Sequence, residues 1–122
     1  NTINFYFSSG VFIGPVRILP DGFRKIVESS YEVSLDDRII GVDTNSADIV
    51  ADGGCSIKMP EPSTLNEGQV FSIKDVGGNG SNCPITIEGN LGEKIDGTDK
   101  LMVDNDYALA QIFTDKQNWY IM

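Results

Sequence analysis

Apolar side chains fall at every second position in one short run after another along this chain. That spacing predicts β-strands with one face on a core. Thr2–Ser8 puts Ile3, Phe5 and Phe7 on one side and Thr2, Asn4, Tyr6 and Ser8 on the other. Val11–Ile13 and Val16–Leu19 are short apolar strands around Gly14-Pro15, and Pro20-Asp21-Gly22 is a strong turn. Phe23–Val27 reads as a strand, Tyr31, Val33 and Leu35 mark another, and Arg38–Asp43 a third with Ile40 and Val42 aligned. Thr44–Gly54 reads as a polar loop around an apolar island, Ile49-Val50. Cys55–Met59 is a strand stopped by Pro60 and Pro62, and Ser63–Glu67 is a single helical turn capped by Ser63.

The alternation is clearest from Gly68 to Gly97. Phe71 and Ile73 share one face of Gln69–Lys74, and Ile85 and Ile87 share one face of Pro84–Glu88. Between them, Gly77, Gly78, Asn79, Gly80 and Asn82 all tolerate positive φ, so Asp75–Asn82 predicts a reversal joining two strands of a meander. Lys100–Val103, Tyr107–Phe113 and Trp119–Met122 complete the set. Trp119, in an alternating strand, is assigned to the core rather than to a sugar-stacking platform.

About ten short strands, punctuated by Gly, Pro, Asn and Asp, predict an all-β fold: a jelly-roll-like antiparallel β-sandwich. Residues 1–22, apolar and poor in charge, predict a β-rich stalk or adaptor, and residues 23–122 the sandwich. Some strands are apolar on both faces. Tyr107–Phe113 carries Tyr107, Leu109 and Phe113 on one and Ala108, Ala110 and Ile112 on the other. A second apolar face needs a cover: such strands either sit centrally or bury that face against another subunit. Phe5, Tyr107, Ala108, Ala110, Ile112 and Tyr120 are the interface candidates.

Charge and composition narrow the chemistry. A net charge of −9 with only nine scattered Lys and Arg excludes a nucleic-acid backbone binder and disfavours anionic membrane surfaces. No apolar run approaches the roughly 18 residues of a membrane span, so insertion is not expected. The absence of His removes Ser-His-Asp and Cys-His catalysis and HExxH zinc sites. Gly77-Gly78-Asn79-Gly80 joins two strands with no helix after it, so it is a flexible loop and not a phosphate cradle. Cys55 and Cys83 read as reduced, partly buried thiols, although a disulfide between them is geometrically conceivable. Asp96 with Asp99, or Asp104 with Asp106, read as turn formers before an acid/base pair. Calcium held by Asp96–Asp106 is a weaker reading, because the spacing is not that of an EF-hand. No enzyme activity, cofactor or metal is expected. The loop residues Asp48, Asp52, Asn79, Asn82, Asn90, Asp104 and Asn105 remain as receptor-binding candidates, since exposed Asn and Asp can bond sugar hydroxyls.

One ordered set of short motifs carries a resemblance. Tyr31-Glu32-Val33 is followed by Asp37-Arg38-Ile39-Ile40-Gly41-Val42-Asp43-Thr44, then Ile57-Lys58-Met59-Pro60, Gly68-Gln69 and Ile73-Lys74-Asp75. Gly78-Asn79, Pro84-Ile85-Thr86-Ile87, Ile95-Asp96-Gly97, Tyr107 and Asn118-Trp119-Tyr120-Ile121 complete it, over about 90 of 122 residues. The set resembles the C-terminal knob module of bacteriophage tail fibres, tailspikes and tail needles. Asn45–Gly54 departs from the pattern as a longer acidic loop, which marks a variable surface.

That resemblance implies a homotrimeric β-sandwich at the distal end of a virion tail appendage, made in the host cytoplasm. It implies that the knob trimerises the fibre and contacts a host cell-surface molecule, a glycan or an outer-membrane component. The alternatives are a purely structural trimerisation cap without its own receptor and, further off, a carbohydrate-active enzyme. The family has no shared catalytic residues to carry over. Asn1 follows no Met, and the chain is expected to be part of a longer protein.

Overall fold

Inward-facing β-branched and aromatic side chains set the strands. In the computed structural model, which describes residues 22–122, these are β1 (Phe23–Ile26), β2 (Ser30–Glu32), β3 (Ile39–Val42), β4 (Cys55–Lys58), β5 (Val70–Asp75), β6 (Ile85–Glu88), β7 (Lys100–Val103), β8 (Leu109–Thr114) and β9 (Trp119–Ile121). The strands expected ahead of Gly22, the stalk segment and Phe5 lie outside the described residues. A five-stranded sheet runs β1-β3-β5-β8-β9 and a four-stranded sheet runs β2-β4-β6-β7. Ile40, Val42, Phe71, Ile73 and Ile112 from the first meet Ile57, Ile85 and Ile87 from the second, all with no exposed surface. Burial of that kind stabilises by roughly 1.5–3 kcal/mol per side chain.

The expectation of an all-β protein in two layers holds; the pairing differs. Strands β1 to β6 alternate between the two sheets, so that β1, β3 and β5 lie parallel in one and β2, β4 and β6 parallel in the other. Only β7, β8 and β9 enter antiparallel. The sheets are therefore mixed, which corrects the antiparallel, jelly-roll-like expectation. The meander from β5 to β6 is also corrected: Asp75–Asn82 crosses from one sheet to the other. The physical reason is that alternation reports which face of a strand is buried, not which neighbour it bonds.

A second difference lies at Thr44–Gly54, which contains a helix, α1 (Ala47–Asp52). Ser46 caps it, its Oγ accepting from Ile49 N at 3.4 Å, and Gly53 ends it at φ 76°. Ile49 is the side chain that pins it to the core while Val50 stays exposed. The helical turn near Ser63 is a 3₁₀ turn, Pro62–Thr64, in which Ser63 bonds Glu61 instead of capping.

The winding places every connection at one of two ends. The turns after β1, β3, β5 and β7 gather at the end that holds α1, here the helix end. Hydrogen bonds tie them together: Ser46 Oγ donates to Val27 O at 2.7 Å, and Asn45 Nδ2 to Gly77 O at 2.6 Å. The turns after β2, β4, β6 and β8 form the far end. There Tyr31 donates its hydroxyl to the buried Asp37 carboxylate, which also accepts from Ser34 N at 2.9 Å. Arg24 lies 3.5 Å from Asp37 and over the Tyr31 ring.

Burial and the hydrogen bond to Asp37 push the Tyr31 phenol up to about 12. A raised folded value means that the stabilisation from neutral Tyr31 is complete below the unfolded value near 10 and is lost as pH rises through about 12. Titration of tyrosinate absorbance is expected to show a late step near pH 12 that Tyr31→Phe removes. A late step unchanged in the variant counts against this assignment.

Candidate functional site

At the helix end one buried carboxylate organises the loops. Asp75 ends β5 at the same parity as Phe71 and Ile73, so its side chain points inward, with no exposed surface. Its Oδ1 accepts from Thr44 Oγ1 at 2.6 Å, Gly77 N at 3.0 Å and Gly78 N at 2.9 Å. Its Oδ2 accepts from Gly80 N at 2.9 Å and Tyr107 N at 3.0 Å. Burial pushes the Asp75 pKa up, but the bonds from Thr44 and the amides of Tyr107, Gly78 and Gly80 outweigh it and leave the carboxyl below its ordinary value. One side chain thus joins the turns after β3, β5 and β7.

The glycine loop is shaped by that clamp and by Tyr107. Gly78 sits at φ 74°, and a Cβ there would fall 2.3 Å from the Tyr107 ring. Tyr107 itself has φ 60°, which ends any strand before β8, and Lys74 Nζ donates to its carbonyl. Thr44 Oγ1 accepts from Asn79 N at 2.8 Å, and Ser81 bonds the Asp106 carboxylate through both its amide and its hydroxyl.

Six of the seven receptor candidates share this end. Asp48 and Asp52 lie exposed on α1, and Asp104 and Asn105 exposed after β7. Asn82 is exposed and donates to Asn79 Oδ1 at 2.9 Å, while Asn79 is half-buried. Asn90 follows β6 at the far end and is not part of the group. The turns of the helix end carry Glu28, Asp43, Asp48, Asp52, Asp104 and Asp106 and no Lys or Arg. Among the described residues no three His, Cys, Asp or Glu side chains converge on a metal-sized site. Asp96 and Asp99 lie at the far end and Asp104 and Asp106 at the helix end, so the Asp96–Asp106 segment does not fold around one ion. Cys55 and Cys83 are buried and free. Burial, with Glu28 nearby, raises the Cys55 thiol to about 11, which makes it unreactive at neutral pH.

The outer faces of the two sheets differ in character. On the four-stranded sheet, Glu32, Lys58, Glu88 and Lys100 stand in one cross-strand row, alternating in sign, beside Ser30, Ser56, Thr86 and Met102 in the next. On the five-stranded sheet, Phe23, Ile39, Ser72 and Gln111 form one row and Lys25, Gly41, Lys74 and Leu109 another. Val70, Phe113 and Tyr120 form a third. No carboxylate occupies any outward strand position of this sheet, in a chain of net charge −9. Phe23 is 52% and Leu109 54% exposed.

The interface candidates divide accordingly. Tyr107 is exposed, Ala108 half-buried, and Tyr120 half-buried on the outer face, with its hydroxyl donating to Asp115 at 3.0 Å. Ala110 and Ile112 point into the subunit's own core and are corrected: the outward side of β8 is Leu109, Gln111 and Phe113. Sequence reasoning missed Phe23 and Ile39, which the odd-numbered positions of β1 and β3 would have exposed. Trp119 is fully buried, which removes it as a sugar platform. A shallow groove of about 260 Å³ opens between β7 and β8, with Met102, Leu109, Ile121 and Met122 along it. Among the described residues no helix is long and apolar enough to cross a membrane. Comparison with protein-family models and with curated proteins gives no match.

Proposed function

We propose that this chain is the distal knob of a bacteriophage tail fibre or needle, which trimerises the fibre and contacts the host cell surface. The observation that carries the reading is that no outward strand position of the five-stranded sheet holds a carboxylate. Copies of an acidic protein repel one another, so they approach most readily through a surface without carboxylates. This one also offers Phe23, Ile39, Leu109 and Phe113 for burial. The motif resemblance from Tyr31 to Ile121 supports the same reading and supplies the threefold symmetry. The helix end, acidic and rich in loop Asn and Asp, is the surface turned to the host, with Asp48, Asp52, Asn79, Asn82, Asp104 and Asn105 as contact residues. Asn90 is left out of that set.

The test has two parts. Light scattering on the purified chain is expected to return about three times 13.3 kDa. Leu109→Asp, at an exposed position of the single subunit, is expected to leave it folded and to weaken association by about 2 kcal/mol or more per contact. The purified wild-type chain is then expected to bind host cells and to compete with phage adsorption. A concentration-independent single-copy mass removes the trimer, and a trimer that neither binds nor competes leaves only the structural cap.

A further inference from the structure

Asn79 is the one asparagine of the chain that precedes a glycine. An Asn-Gly pair is prone to attack itself. The glycine nitrogen, once deprotonated, adds to the side-chain amide carbon of the asparagine, and with no Cβ on the glycine little hinders the approach. The fold nevertheless requires both residues. A Cβ on residue 80 would fall 2.9 Å from Asn105 O and 2.9 Å from Asp75 Oδ2, so only glycine fits there. Asn79 is committed through its backbone. Its N donates to Thr44 Oγ1 at 2.8 Å, and its carbonyl accepts from Asn82 N at 3.1 Å and Cys83 N at 2.8 Å.

The closed loop opposes the attack at each atom that must move. The proton that has to leave first sits on Gly80 N, which donates to the buried Asp75 carboxylate at 2.9 Å. A negative charge at that distance disfavours the amide anion. The Asn79 carboxamide is held at both ends. Its Oδ1 accepts from Asn82 Nδ2 at 2.9 Å, while its Nδ2 donates to Thr44 O at 3.4 Å and to Cys83 Sγ at 3.5 Å. Its carbon is therefore not free to swing onto Gly80 N. The peptide unit between the two residues is pinned as well, by its N–H to Asp75 and by its carbonyl to Asn82 and Cys83.

We propose that Asn79-Gly80 is a self-modification site which the Asp75 clamp keeps shut, and that opening of the glycine loop converts it in one direction. In the open loop the bond from Gly80 N to Asn79 Cγ forms and the Cγ–Nδ2 bond breaks. Ammonia leaves, taking up the proton released by Gly80. Water then opens the resulting succinimide at either carbonyl, which leaves aspartate or isoaspartate at position 79. Neither product restores the closed loop. Aspartate turns the donor that faces Thr44 O and Cys83 Sγ into a charged acceptor. Isoaspartate lengthens the backbone and carries Gly80 N away from Asp75. An opening of the loop is thereby recorded as a permanent change.

Peptide mass spectrometry on the full chain, incubated in mildly alkaline buffer, tests this. Conversion at Asn79 is expected to be on the order of tenfold or more slower in the native protein than in the same protein held in urea. Asp75→Asn is expected to speed native-state conversion about tenfold, and Asn82→Ala, at an exposed position, about threefold. Trp119 emission shows that each variant is folded. Asn79→Asp is expected to lower hydrogen-exchange protection of the Gly80 amide about tenfold. Conversion as fast in the native protein as in urea overturns the proposal. So does slow native conversion that neither substitution speeds, which would assign the protection to other contacts. Wild-type protection of Gly80 in Asn79→Asp overturns the one-way step.

Discussion

Replacing Asp75 with alanine is expected to lower the stability of the fold by about 4 kcal/mol, since the change strands several buried donors at once. Thr44 Oγ1 and the amides of Gly77, Gly78, Gly80 and Tyr107 all lose their acceptor. The more exposed of these regain water, which keeps the loss below the sum of five separate bonds. For a domain of about 100 residues the change lowers Tm by about 15–25 °C. Asp75→Asn keeps the shape but turns one acceptor oxygen into a donor, so at least two amide or hydroxyl donors face it. It is expected to cost about 2 kcal/mol. The pH dependence separates this role from simple packing. Asp75 has a folded pKa below its unfolded one, so its contribution is present above the unfolded value near 3.9 and is lost as pH falls through the folded value. Urea midpoints of wild type and Asp75→Asn are therefore expected to converge as pH is lowered below about 4. Parallel midpoints down to acid unfolding would remove the charged clamp. Under the knob function proposed above, Asp75→Asn is also expected to weaken host-cell binding more than trimer formation, because Asp75 joins the turns that carry Asn79 and Asn105.

Much of this arrangement was legible in the alternation. Ile57 and Met59, Phe71 and Ile73, and Ile85 and Ile87 were each assigned a common face, and each pair is buried. The inward role of Asp75 was also encoded, for it continues the parity of Phe71 and Ile73. It nevertheless reads as the first loop residue, because the glycine- and asparagine-rich run that tolerates positive φ follows it. What alternation does not encode is the partner strand. Phe71 and Ile87 give the same signal whether their strands are neighbours or lie in opposite layers, and the crossover at Asp75–Asn82 uses the same glycines that a hairpin would. Helix α1 was hidden for a different reason. Six residues with a single buried side chain show no periodicity, and its signals were Ser46 ahead of Asp48 and Gly53 behind. The grouping of six loop candidates at one end followed from the winding, and Asn90 fell outside it because β6 runs the opposite way to β5.

Trp119→Ala is expected to cost about 3–5 kcal/mol, as removal of a large buried ring does when the site cannot collapse. The ring has no exposed surface and meets Phe71 edge-on at 5.8 Å and 71°. Its backbone is equally committed: Trp119 N donates to Lys94 O at 2.8 Å and Trp119 O accepts from Asp96 N at 2.9 Å. Those bonds hold the far-end loop against β9, so a cavity here loosens Lys94–Asp96 as well. The indole N–H meets no acceptor among the described residues. Trp119→Phe removes that donor together with part of the ring, and relief of an unpaired buried group, worth about 1–3 kcal/mol, offsets much of the lost contact. The phenylalanine variant is therefore expected to lie closer to wild type than to the alanine variant in urea midpoint. As the chain's one tryptophan, Trp119 also reports directly: its emission is expected to be blue-shifted and shielded from iodide until the fold opens. An indole that quenches freely in the native protein would instead return Trp119 to the surface and reopen the stacking role.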